Sequence, residues 1–97
     1  MNEVEYIKAT LNESERLLAL AEEASELGQA ALKLRRVREG RNPSPTTEQG
    51  AAASLLEEYG DVLNCIEVLL TPSQHAEAVQ SRLVKRARWV GRLQKNE

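Results

Sequence analysis

The sequence predicts an all-α domain, and three observations carry that prediction. Aromatic residues make up 3% of the 97, with one Trp, two Tyr and no Phe, too few for a β-sandwich or barrel. Leucine, alanine, glutamate, glutamine, lysine and arginine, all strong helix formers, fill long uninterrupted stretches. Within those stretches apolar residues recur at alternating steps of three and four, the period of an amphipathic helix. The same composition narrows the function classes. No apolar run approaches the ~20 residues that span a bilayer, and no signal-peptide pattern opens the chain. A single cysteine excludes an intramolecular disulfide and a cysteine-rich zinc site and suits a reducing, cytoplasmic setting. Length and composition together predict one domain over residues 1–97, with a core of about residues 12–94.

The first helix is expected from about Asn12 to Arg38, with Leu17, Leu20, Ala24, Leu27, Ala31 and Leu34 as one apolar stripe. Thr10 with Glu13, or Asn12 with Glu15, offers a capping box at its start. Residues 3–9 read as an extra turn or two, or as frayed chain. The segment Glu39 to Pro45 is a loop by composition, EGRNPSP. Thr46 and Gln49 then suggest a cap for a second helix running to about Leu70, with Ala52, Leu56, Tyr59, Leu63, Ile66 and Leu70 as its buried stripe. Thr71-Pro72-Ser73-Gln74 supplies a cap, a first-turn proline and a further capping box. The third helix, about Pro72 to Gln94, carries Ala76, Val79, Leu83, Arg86, Val90 and Leu93 along one side. The expected architecture is an antiparallel helical hairpin plus a third helix.

A formal net charge of −2 conceals strong segregation. Residues 1–32 hold seven acids and two bases, and residues 33–41 hold five bases and one acid. Residues 42–77 hold six acids and no base, and residues 78–97 hold six bases and one acid. Alternating blocks of this kind either pair as solvated faces or place a cation site beside a polyanion site.

Helical geometry points to the second alternative. Glu22, Glu23 and Glu26 form an E-E-x-x-E pattern in which Glu26 projects about 40° from Glu22 and about 60° from Glu23. Glu58 and Asp61 form E-x-x-D, one turn apart on the second helix. Asp61 falls within an apolar run, where an unpaired carboxylate would be costly if buried. In antiparallel helices the first cluster lies about 21 Å before the end of helix one and the second about 19 Å after the start of helix two. All five carboxylates thus converge at one height, where their mutual repulsion must be offset by protons, basic side chains or metal. Glutamates of this kind often decorate a wet surface, but two clusters at matched height favour a hard divalent ion, Mg²⁺ or Mn²⁺.

The segments Leu20 to Leu34 (LAEEASELGQAALKL) and Leu55 to Leu63 (LLEEYGDVL) resemble the MazG-like all-α nucleoside triphosphate pyrophosphohydrolases. Similarity extends over about Leu17 to Arg92 and looks closest to the short single-domain bacterial and phage members. Gly60 departs from the pattern, where alanine is more usual. The resemblance implies hydrolysis of the bond between the α- and β-phosphates of a (deoxy)nucleoside triphosphate, giving monophosphate and pyrophosphate. It implies Glu22, Glu23, Glu26 and Asp61 as Mg²⁺ ligands and Glu58 as a ligand or the group that deprotonates the attacking water; Glu23 and Glu58 are the catalytic candidates. It also implies a homodimer or homotetramer in which a neighbouring subunit supplies part of the pocket.

Substrate contacts are expected from Lys33, which continues the flank of Glu22 and Glu26, from Lys85 and Arg88 on the basic last helix, and from Asn64, one turn beyond Asp61. Each has an alternative as an ordinary solvated side chain. Trp89 reads as a packing or interface residue more readily than as a base-stacking ring, and Cys65 as a small buried side chain. Leu18, Leu32, Leu55, Val62 and Leu69 lie off the named stripes, which favours self-association into a bundle. Two rival functions remain: a catalytically inactive helical interaction or regulatory protein, and the phosphoribosyl-ATP pyrophosphohydrolase of histidine synthesis. Neither a membrane nor a nucleic acid is expected as partner, since the acidic blocks would repel a phosphate backbone.

Overall fold

A computed structural model describes residues 1–40 and 46–96 and is all-helical, with no strand among them. Four helices follow one another: α1 (Glu3–Thr10), α2 (Glu13–Glu39), α3 (Glu48–Leu69) and α4 (Pro72–Lys95). The expected N-terminal turn is thus a helix in its own right. Asn2 caps it, its side chain accepting from the Glu5 amide at 2.8 Å. Leu11 adopts an extended conformation and ends it. Asn12 then caps α2 in a reciprocal box with Glu15, with bonds of 2.9 and 2.8 Å, so Thr10 is not the cap.

At its C-terminus α2 closes on Gly40 at φ 66°, a left-handed conformation that glycine adopts without a Cβ clash. Most of the expected EGRNPSP loop, residues 41–45, lies outside the described residues. The cap of α3 is Thr47, not Thr46, and its hydroxyl accepts from the Gly50 amide at 3.0 Å. Gly50 has no side chain to return the bond. A Cβ there would lie 2.9 Å from the Thr46 Oγ1 and 3.3 Å from the capping Thr47 Oγ1, so a larger residue would require those hydroxyls to shift. Thr71 and Gln74 form the expected reciprocal box, with Pro72 in the first turn of α4.

Two packed pairs make up the body of the fold: α2 against α3 and, less extensively, α1 against α3. The Arg16 guanidinium, early in α2, donates to the Val68 carbonyl late in α3 and to the Leu11 carbonyl at 3.2 Å. At the other end Arg38, late in α2, pairs with Glu48 at the start of α3 at 3.1 Å, an exposed contact of small energetic value. Between these ties lies a thin core of Ala30 and Leu34 from α2 with Ala51 and Val68 from α3.

The buried faces differ from the expected stripes. On α2, Leu20, Leu27 and Leu34 point inward as expected, but Leu17, Ala24 and Ala31 are exposed, and Ala30 is buried in their place. On α3 half of the expected stripe holds: Ala52, Ile66 and Leu70 are half-buried, but Leu56, Tyr59 and Leu63 are exposed, and the fully buried residues are Ala51 and Val68. α3 is apolar on more than one side, so periodicity alone does not select the packed one. The expected stripe of α4 is not buried at all; no residue of that helix is. α4 packs lengthwise against neither α2 nor α3.

Two substitutions test this account. Arg16→Ala removes a charge-assisted tie between the α1–α2 corner and the end of α3, and is expected to cost about 1–3 kcal/mol in denaturant unfolding. Gly28→Ala, in mid-α2 where an added Cβ meets open space, is expected to raise stability by about 0.5–1 kcal/mol.

Candidate functional site

Halfway along the α2–α3 seam the packing turns acidic. Glu23 and Glu26 on α2 and Glu58 on α3 each offer a carboxylate oxygen, and these oxygens lie within 4.8 Å of one another. One turn separates the two α2 residues, and the seam brings Glu58 to the same height. Glu23 and Glu58 are half-buried and Glu26 is exposed. One oxygen of Glu23 and one of Glu58 are buried without a hydrogen-bond partner.

The electrostatic consequence is a pair of reluctant acids. Removal from water, then the charges of Glu26 and Asp61, raise the Glu23 pKa from 4.5 to about 7. Glu58 is raised by the same desolvation and by the neighbouring Glu26. Near neutral pH the cluster therefore holds a proton that an isolated glutamate would have released. Proton uptake is one of the ways in which crowded carboxylates relieve repulsion; a bound cation is another.

The expected site residues fall into three groups. Glu23, Glu26 and Glu58 come together directly. Asp61 is exposed despite its apolar neighbours along the helix, yet stays close enough to raise both Glu23 and Glu58. Glu22 is exposed and outside the group of three. Lys33 on α2 and Asn64 on α3 are exposed. Lys85 and Arg88 are exposed on α4, which does not bring them onto the seam.

One neighbour of the cluster was read only as a small buried side chain. Cys65 is half-buried, and its thiol pKa is raised by desolvation and then by Glu23 and Asp61. Glu58, Asp61 and Cys65 are spaced at i, i+3 and i+7, so helical periodicity alone would place the thiol on the carboxylate face. Such a thiol is a poor nucleophile, because its thiolate is disfavoured.

No family model, curated protein or solved structure matches this chain.

The pKa shift of Glu23 sets a pH dependence with a definite sign. Unfolded Glu23 ionises near 4.5, whereas folded Glu23 keeps its proton to about 7, so its protonation favours the folded state within that interval. In EDTA, this residue's contribution to thermal stability is expected to be fully present below pH 4.5 and lost as pH rises to about 7. The Glu23→Gln difference in melting temperature, measured from pH 4 to pH 8, isolates that contribution: the variant should gain on the parent protein as pH rises.

Proposed function

We propose that this chain is a Mg²⁺-dependent nucleoside triphosphate pyrophosphohydrolase of the MazG-like type, releasing monophosphate and pyrophosphate for nucleotide-pool clean-up. The observation that carries the reading is the convergence of Glu23, Glu26 and Glu58 with two orphaned carboxylate oxygens. An all-oxygen donor set of this kind fits a hard divalent cation, Mg²⁺ or Mn²⁺, and such a cation would replace the proton held on Glu23. The E-E-x-x-E and E-x-x-D patterns that resemble the MazG-like enzymes contain the same residues.

In this reading Glu23, Glu26 and Glu58 hold the metal, with Asp61 at the exposed edge. When bound, Mg²⁺ neutralises phosphate charge and lowers the pKa of a coordinated water. The protein's task is then chiefly positioning. Glu23 and Glu58 are the candidates to accept a proton from the attacking water, a role open to whichever of the two is not engaged on the metal. Lys33 and Asn64 offer donors to the phosphates or the sugar. The helices act as an antiparallel hairpin within a self-associated bundle, a cytoplasmic homodimer or homotetramer that binds no nucleic acid.

A second reading, a non-catalytic helical partner protein that retains the acidic seam, is favoured by α4, which leaves Lys85 and Arg88 away from the carboxylates.

Product analysis separates the two. Incubation with each dNTP and NTP is expected to release monophosphate and pyrophosphate with Mg²⁺ and neither with EDTA. Loss of a group that merely supports a metal ligand costs about 10- to 100-fold, so Glu26→Gln, which changes a ligand itself, is expected to lower turnover at least as far. Release of orthophosphate would place the cleavage at a different bond. Absence of turnover across all nucleotides would leave the partner-protein reading.

A further inference from the structure

Helix α4 is the part of the chain that the fold leaves unengaged. It runs 24 residues from Pro72 to Lys95 and buries none of them, a rod of about 36 Å at 1.5 Å per residue. It packs lengthwise against neither α2 nor α3.

Its two sides are chemically distinct. At about 100° per residue, Pro72, Val79, Leu83, Val90 and Leu93 fall within an arc of about 80°. Lys85, Arg88, Arg92 and Lys95 fall within another arc of about 80°, centred about 160° from the first. Val79, Leu83, Val90 and Leu93 are all exposed, by 39% to 55%. Trp89, the only tryptophan and 60% exposed, stands at the border, about 40° from Leu93 and about 40° from Lys85. Arg82, Lys85, Arg86 and Arg92 surround it in one open hollow.

The bases have no internal partner. α4 carries six bases and one acid, Glu77. No base of α4 takes part in an ion pair among the described residues. Apart from Glu77 and Glu97, every acid lies on α1, α2 or α3. The acidic blocks that weigh against a phosphate-bearing partner thus belong to the other helices, and α4 presents its own charge.

A partner has to answer an apolar side and a basic side at once. A single nucleic-acid strand would meet the bases and leave the apolar stripe in water. A helix docked on the stripe would cover it but reach only the flanks of α4, whereas Arg88 and Lys95 project about 180° and about 160° from Val79. An anionic bilayer surface answers both, because a helix lying in the interface turns its apolar side to the acyl boundary and is surrounded elsewhere by headgroups. Tryptophan suits the border between the two, with an apolar ring and one N–H donor. Arg82 and Arg86, the bases nearest the apolar arc, have stems long enough to carry their guanidinium groups up to headgroup phosphates.

We propose that α4 is an interfacial helix that lies flat on an anionic lipid surface, with Val79, Leu83, Val90 and Leu93 sunk toward the acyl chains and its bases among the headgroups. The helix rests on the bilayer without crossing it; none among the described residues is long and apolar enough to cross. This role rests on α4 alone and requires no metal site or catalysis. Self-association through the exposed Leu56, Tyr59 and Leu63 of α3 would leave α4 available for it.

The test presents the full chain with vesicles of phosphatidylglycerol and phosphatidylcholine in equal parts, and with vesicles of phosphatidylcholine alone. Cosedimentation is expected with the anionic vesicles only and is expected to weaken as salt rises. Trp89 reports the contact: its emission should shift to the blue and be quenched by brominated acyl chains. Arg82→Gln/Arg86→Gln/Arg92→Gln removes three bases, each contributing about fivefold near such a surface, so apparent affinity is expected to fall about 100-fold. Leu83→Gln/Val90→Gln is expected to abolish the blue shift. Because α4 buries no residue, both variants should keep the helical circular dichroism of the wild type. Should either lose it, lipid composition, salt and Trp89 quenching in the wild-type chain decide alone. No binding to anionic vesicles, equal binding to phosphatidylcholine, or binding without Trp89 quenching would each overturn the proposal, as would folded variants that bind like the wild type. A chain that ignores vesicles but binds a single-stranded oligonucleotide, or ignores them as a dimer, would also overturn it, assigning α4 to a nucleic acid or to a second copy.

Discussion

The seam between α2 and α3 is the contact on which the folded chain depends. Its fully buried apolar residues are Ala30, Leu34, Ala51 and Val68, two of them alanines whose short side chains let the helix backbones approach, with Leu20 and Leu27 half-buried beside them. Around this thin core the ends are tied by polar contacts, Arg16 to the Val68 carbonyl and Arg38 to Glu48. Hydrophobic stabilisation scales with apolar area removed from water, and four small or medium side chains remove little. Polar groups placed in this seam therefore weigh more than they would in a large core.

Glu23 and Glu58 are such groups. They stand at mid-seam with buried oxygens that find no donor, and their raised pKa values reflect the resulting destabilisation of the charged form. A structure with so little apolar reserve has small capacity to tolerate unneutralised carboxylates at its principal contact. A proton, a divalent cation or a cationic partner relieves the same strain. The site and the stability of the fold are thus coupled through one pair of helices.

Much of this was legible in the sequence because it is local. The caps at Asn12 and Thr71 depend on residues three positions apart, and both form. The common height of Glu26 and Glu58 follows from the constant rise of a helix and from pairing α2 against α3. The choice of face was less legible. In α2, Leu and Ala occupy enough of the circumference for overlapping stripes, so Leu20, Leu27 and Leu34 were placed correctly while Leu17, Ala24 and Ala31 were not. In α3 the larger apolar residues suggested the packed side, yet the small Ala51 and the acid Glu58 lie toward α2. Close helix approach favours small side chains, and hydrophobicity by itself does not report that preference. Asp61 shows the same limit: its apolar neighbours along the helix do not report its exposure until the packed face is known.

The sequence by itself determined that the chain is helical, where α2, α3 and α4 begin and end to within a few residues, and that Glu23, Glu26 and Glu58 share a level. Those properties follow from backbone hydrogen bonding, side-chain capping and helical rise, all short-range. Only the tertiary structure decided which sides of α2 and α3 meet, that Glu23 and Glu58 rather than Asp61 are the partly desolvated acids, and that α4 packs along neither. Those outcomes depend on contacts between residues distant in sequence, where side-chain size and the dielectric surroundings are set by the neighbouring helix.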